Sequence, residues 1–187
     1  MLARLLAPVI ACFVLSGCLT SEFKEIRITL NPDGSGKGVI TYIGISSEQG
    51  DDTVSLAKED FESLVADYLE GRSFETANEQ LKNVKKRLYV QEGKLIGEVT
   101  FEFADLAAVG LYKHQGAGPF MYYTLADGFL TSGQYAASNG SYGGDKMPVV
   151  FWPTNATEFY VKMALSSAET PKTSLASNYL AWQSKRR

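Results

Sequence analysis

The sequence predicts an α+β fold: a mainly antiparallel sheet built from hairpins, one main helix near residues 56–70, and short helices packed on one face. Three observations carry this. Segments whose apolar residues alternate with period two recur along the chain. Glycine, proline, asparagine and aspartate sit between neighbouring strand-like segments, as in hairpins. One stretch alone, Ser55 to Glu70, has a long helical stripe.

In chain order, Phe23 to Leu30 places Ile26, Ile28 and Leu30 on one face and Glu25, Arg27 and Thr29 on the other. Asn31-Pro-Asp-Gly-Ser-Gly36 turns the chain, and Gly38 to Ile45 returns as the second arm. Ser46 to Thr53 reads as a polar loop. Within Ser55–Glu70, Phe61, Leu64, Val65, Tyr68 and Leu69 share a helical face, and Gly71 supplies a stop. Phe74 to Gln80 reads as a further short helical turn. Lys82–Gln91 and Lys94–Phe103 straddle Glu92-Gly93 as a second hairpin. Ala104 to Val109 reads as one or two helical turns stopped by Gly110. Pro119 to Gln134, folded about Ala126-Asp127-Gly128, reads as a third hairpin dense in aromatics. Met147–Pro153 and Glu158–Leu165 are two more strands, and Ser174–Gln183 is a terminal helix carrying Leu175, Tyr179 and Trp182 on one side.

Composition bounds the function. The chain has 187 residues, 45% of them hydrophobic and 21% charged, which is ordinary globular usage. A net charge of −3 and a pI near 5.3 argue against a nucleic-acid partner. Two cysteines and one histidine exclude a zinc ribbon, a disulfide scaffold and a His-rich metal cage.

The N-terminus reads as an address. Arg4 gives a positive n-region, and Leu5 to Leu15 is uncharged and too short to span a bilayer as a helix. Leu15-Ser16-Gly17-Cys18 resembles the bacterial lipobox, in which the cysteine thiol receives diacylglycerol before cleavage. The expected organisation is a lipoprotein signal peptide at 1–17, a lipidated tether at 18–22, a single α+β domain at 23–183 and a basic tail at 184–187. Lipidation of Cys18 implies a bacterial cell-envelope protein held to the membrane through its acyl anchor. Leu19 in place of aspartate after the cysteine favours the outer membrane if the source is Gram-negative.

The order of further motifs resembles the LppM-type bacterial lipoproteins. After the lipobox come Pro32-Asp-Gly-Ser-Gly36, a helix near Lys58-Glu-Asp-Phe61, and Thr100-Phe-Glu-Phe-Ala-Asp-Leu106. Ser138-Asn-Gly140 and Trp152-Pro-Thr-Asn-Ala-Thr-Glu-Phe159 follow. The resemblance implies a secreted, lipid-anchored α+β domain without enzymatic activity, serving envelope organisation or binding lipid-like molecules.

The residues offer no catalytic set, no metal centre and no cofactor site. Asn31, Asp33 and Ser35 mimic the start of a calcium loop, but Tyr42 stands where such a loop needs glutamate. His114 is the single imidazole, and no Gly-x-Ser-x-Gly elbow surrounds any serine. Asp51-Asp52 and Glu59-Asp60 lack an apolar enclosure that would raise a carboxyl pKa. Gly34, Gly36 and Gly38 alternate within a hairpin, without a following helix to hold a phosphate. Between residues 120 and 152 the aromatics serve either as core or as a ligand surface, and core is the stronger reading. If part of them is a site, Tyr122, Tyr142 and Trp152 are the candidates because they flank turns. The expected function is non-catalytic binding of an apolar or amphiphilic envelope ligand, in a cleft between the 120–152 strands and helix 58–70. A structural adaptor for another envelope protein is the alternative, and a hydrolase the weakest reading.

Overall fold

The computed structural model describes residues 19–48, 56–116, 118–124, 133–166 and 171–186. Cys18, Asp51-Asp52 and the Ala126-Asp127-Gly128 turn lie outside the described residues. The architecture is α+β, mostly antiparallel sheet with few helices.

Strands β1 (Leu19–Thr20), β2 (Phe23–Leu30), β3 (Gly36–Ile43) and β4 (Ser46–Glu48) come first. β2 and β3 pair as a hairpin, Ile26 opposite Ile40 and Ile28 opposite Gly38, so Gly36, Gly38 and Ile40 face the core and the alternating Val39, Thr41 and Ile43 of this arm lie on the other face. At their turn the Asp33 carboxylate accepts bonds from the Ser35 N–H at 3.0 Å and its hydroxyl at 2.7 Å, which hold the Asp33 pKa below its ordinary value. The Asn31–Ser35 segment is therefore a hydrogen-bonded turn. Ser46–Glu48, expected as loop, is instead the middle strand of a small sheet. It pairs with β1, from the segment expected as tether, and with β13 (Lys172–Ser174).

Helix α1 (Ala57–Ser63) follows and continues as a π-helical segment, Leu64–Leu69, closed by the Glu70 N–H donating to the Val65 carbonyl five residues back. The expected main helix is thus two windings in series. Phe61, Leu64 and Val65 are buried as the apolar stripe requires, while Tyr68 and Leu69 are half-buried. α2 (Ser73–Ala77) is the short helix expected after Gly71.

β5 (Lys82–Gln91) and β6 (Lys94–Phe103) have the boundaries read from the sequence. Their loop is two residues long, with Glu92 at φ 51° and Gly93 at φ 74°, the left-handed pair that matches strand twist. A 3₁₀ turn, Leu106–Val109, is capped by Asp105 accepting from the Ala108 N–H and ended by left-handed Gly110.

β7 (Leu111–Lys113), β8 (Phe120–Tyr123), β9 (Gln134–Ser138), β10 (Ser141–Tyr142), β11 (Val149–Trp152), β12 (Glu158–Ala164) and α3 (Ala176–Ser184) complete the chain. The third hairpin is not formed as expected. β8 pairs with β7 and β11, whereas β9, the strand that follows, pairs with β12 in another sheet. Short strands with apolar residues on both sides carry little local register information, so partners distant in sequence decide their pairing.

The main sheet has the order β5-β6-β3-β2-β12-β9, and a second has β10-β11-β8-β7. The outer face of the main sheet carries ion pairs, Arg27–Glu25, Arg87–Glu98 and Lys162–Glu25 among them. The inner face is apolar. Part of it meets the second sheet in one core that includes Ile26, Ile40, Phe101, Phe120, Val150 and Phe159. Gly36 and Gly38 are under the Phe103 and Phe101 rings, where a Cβ would collide with the aromatic carbons; close packing explains their alternation. A second core joins Leu95 and Ile45 to Phe61, Leu64 and Val65 of the α1–π segment and to Leu175 and Tyr179 by α3. The Tyr179 hydroxyl donates to the Leu88 carbonyl at 2.7 Å, and Phe61 meets the Trp182 ring edge-on at 6.3 Å. These contacts tie α3 to β5 and to α1.

Candidate functional site

The two cores meet at Tyr42, which packs against both. Beside it the helical cover and the sheet do not close, leaving a cleft of about 90 Å³. Tyr42, Leu88, Gly97 and Val99 form its floor on β3, β5 and β6. Leu64, Tyr68 and Leu69 of the π segment form one wall. Leu19, Thr20 and Ser21 contribute at another side, with Ile45 and Leu165. Gly97 keeps the floor low: a Cβ there would crowd Ile45. The wider π turn separates side-chain rows that an α-turn would bring together, and single-turn π insertions recur at functional sites.

The walls are mostly apolar, with two ammonium groups among them. Lys24 is 1% exposed and shares the inward register of Ile26 and Ile28. Lys86 shares the register of Leu88 and Val90. Its Nζ donates to the Gly71 carbonyl at 2.6 Å and to Glu75 Oε2 at 2.8 Å, tying the end of the π segment and α2 to β5. Glu98, bound in two bonds to Arg87, lies at the margin. The recess is small, apolar and edged by cations, its volume well below the roughly 300–1,000 Å³ usual for small-molecule pockets.

Burial raises the Tyr68 hydroxyl pKa above its ordinary value, and nearby Asp67 adds to the effect. The unfolded chain then loses this proton first, so the contribution of Tyr68 is present below about pH 10 and is lost as pH rises past it. Tyr160, also raised mainly by burial, acts in the same direction. The urea midpoint is expected to fall above about pH 10, and Tyr68→Phe to flatten that fall. An equally steep fall in the variant would assign the loss to other groups.

The sequence-derived candidates lie elsewhere. Tyr122 (4% exposed) and Trp152 (3%) belong to the first core. The Trp152 indole N–H donates to Asn139 Oδ1 at 2.7 Å, and its ring meets Phe159 edge-on. Tyr142, half-buried, stacks on Tyr135 at 3.9 Å with the rings 7° from parallel. Tyr122, Tyr142 and Trp152 are absent from the cleft walls. The anticipated helical wall is present, but β3, β5 and β6 supply the floor in place of the 120–152 strands. Sequence reasoning missed Lys24 and Lys86, although a signal was available: each is a charge on the apolar parity of its strand.

His114 is exposed, in a 3₁₀ turn. Buried Asp60 accepts from the Ser47 hydroxyl at 2.5 Å. Among the described residues no group of three His, Cys, Asp or Glu side chains is placed to hold a metal, and no helix is long and apolar enough to cross a membrane. Two larger depressions, of about 520 and 390 Å³, are more polar and more open. One runs past Glu70, Glu75 and Glu79; the other lies on the outer sheet face between Phe23, Tyr89 and Lys162. Comparison with protein-family models, with curated proteins and with solved structures finds no match.

Proposed function

We propose that this chain is a bacterial envelope lipoprotein, anchored through Cys18, with a non-catalytic role: it binds the apolar part of an amphiphilic molecule in the cleft beneath the π segment. The observation that carries this reading is the cleft itself. It is an apolar recess left open where two cores meet, beside a π-helical winding, a rare backbone conformation that recurs at functional sites. The lipobox and the order of motifs resembling LppM-type lipoproteins point the same way.

The test is binding of the fluorescent apolar probe 1-N-phenylnaphthylamine to residues 18–187 carrying Cys18→Ser. A saturable rise in emission is expected. Leu69→Arg, which sets a cation in the half-buried wall, is expected to weaken binding about tenfold or more while the circular dichroism spectrum is unchanged. An absence of saturable binding, or binding indifferent to Leu69→Arg, refutes the cleft as the site.

An adaptor role for another envelope protein is the second reading. It is favoured by Tyr112 and Tyr123, exposed on adjacent strands and packed edge-to-face at 5.9 Å, with exposed Met147 on the approach to β11. Failure of the probe to bind would leave this reading in place.

A further inference from the structure

We infer that the occupant of the cleft, whenever the protein is out of the bilayer, is an acyl chain of its own Cys18 lipid, which then shuts the cleft to other amphiphiles. The inference rests on the lipoprotein reading above and goes further, by naming the ligand and a means of regulation.

Three observations converge on it. The first is covalent continuity. Leu19 is part of the cleft wall, and a single peptide bond, about 3.8 Å between α-carbons, joins it to Cys18. The second is the fixed exit of the chain. Leu19 and Thr20 pair with Ser47 and Ser46 in β1–β4, so the residues after the lipidation site are held against the domain. The third is size: about 90 Å³ of apolar recess suits the end of one chain and leaves the others outside.

Physical chemistry then sets the order of binding. A tethered chain competes at an effective concentration of about millimolar, well above that of most dispersed lipids. In water the chain gains by leaving solvent for the recess. In a bilayer it gains as much or more by staying among lipid tails, so the recess empties when the anchor inserts. The cleft is thereby open to a membrane amphiphile only when the protein is seated on a membrane.

The full chain is expressed with a diazirine-bearing fatty acid in the growth medium. The mature protein is purified in detergent, divided, and irradiated either free of detergent or in phospholipid nanodiscs. A ¹⁵N-labelled copy mixed in separates cross-links within one chain from those between chains. In the detergent-free sample, intrachain cross-links from the acyl chain to the peptides bearing Tyr42, Leu64 or Tyr68 are expected. In nanodiscs they should drop about tenfold as the label moves to lipid. Leu69→Arg, acylated and folded by circular dichroism, should lose them in both. An intact mass showing the acyl group on Cys18 without cleft cross-links overturns the inference while leaving the lipoprotein reading intact. An intact mass without any acyl group overturns both. Cross-links of equal yield in nanodiscs overturn the regulation.

Discussion

Trp152→Ala is expected to lower the free energy of unfolding by about 3–5 kcal/mol, the range found when a large buried aromatic is removed from a core that cannot collapse around the gap. Two features place this residue at the upper end of mutational effects. Its side chain lies between the two sheets, 3% exposed and edge-on to Phe159, whose ring also meets Phe120 at 5.0 Å, so its deletion removes one member of a three-ring cluster centred on Phe159. Its indole N–H also donates to Asn139 Oδ1, an atom that accepts from the Tyr160 N–H at 2.8 Å as well. Through Asn139 the tryptophan links β11, in the second sheet, to β12 in the main sheet. Trp152→Phe keeps most of the apolar area and leaves Asn139 Oδ1 one donor, so its cost should be smaller, about 1–2 kcal/mol. Urea unfolding of both variants measures this. A change within about 0.5 kcal/mol for Trp152→Ala, the usual range for surface sites, would mean that Trp152 is not a core residue and would return it to the ligand-binding role considered from the sequence.

Cys18→Ser is expected to move the protein from the membrane pellet to the soluble fraction, a change in partitioning of more than about a hundredfold. Single acyl chains bind membranes only marginally, but two or more together hold firmly, at about 0.8 kcal/mol per buried CH₂. Among the described residues no helix is long and apolar enough to cross a membrane, so the test bears on the proposed anchor at Cys18. The measurement is ultracentrifugation of cell lysates, with labelled fatty acid followed in the same samples. Wild-type protein should incorporate label and sediment with membranes; the serine variant should do neither. Equal sedimentation of the two, with label in neither, would remove the anchor from this account and leave the Cys18-dependent inference without an occupant.

What the sequence determined by itself was local. The hairpin of residues 82–103 was legible to its boundaries because a two-residue Glu92-Gly93 turn joins arms whose period-two pattern fixes the register. The apolar stripe that buries Phe61, Leu64 and Val65 was legible for the same kind of reason: spacing along the chain dictates which side chains share a face. Gly110 as a helix stop followed from the left-handed backbone that glycine adopts without strain.

Tertiary structure decided the rest. β8 took partners about ten residues before it and about thirty after it, and Ser46–Glu48 became a strand only because β1 and β13 lie on either side to accept its backbone groups. The change from α to π winding at Leu64 was not legible either, because the apolar spacing of Phe61, Leu64, Val65, Tyr68 and Leu69 is that of an ordinary α-helical stripe. The cleft was beyond reach of the sequence as well. A void is a failure of two surfaces to meet, and it is a property of their separation in space, to which Tyr42 and Tyr68, twenty-six residues apart in the chain, contribute together.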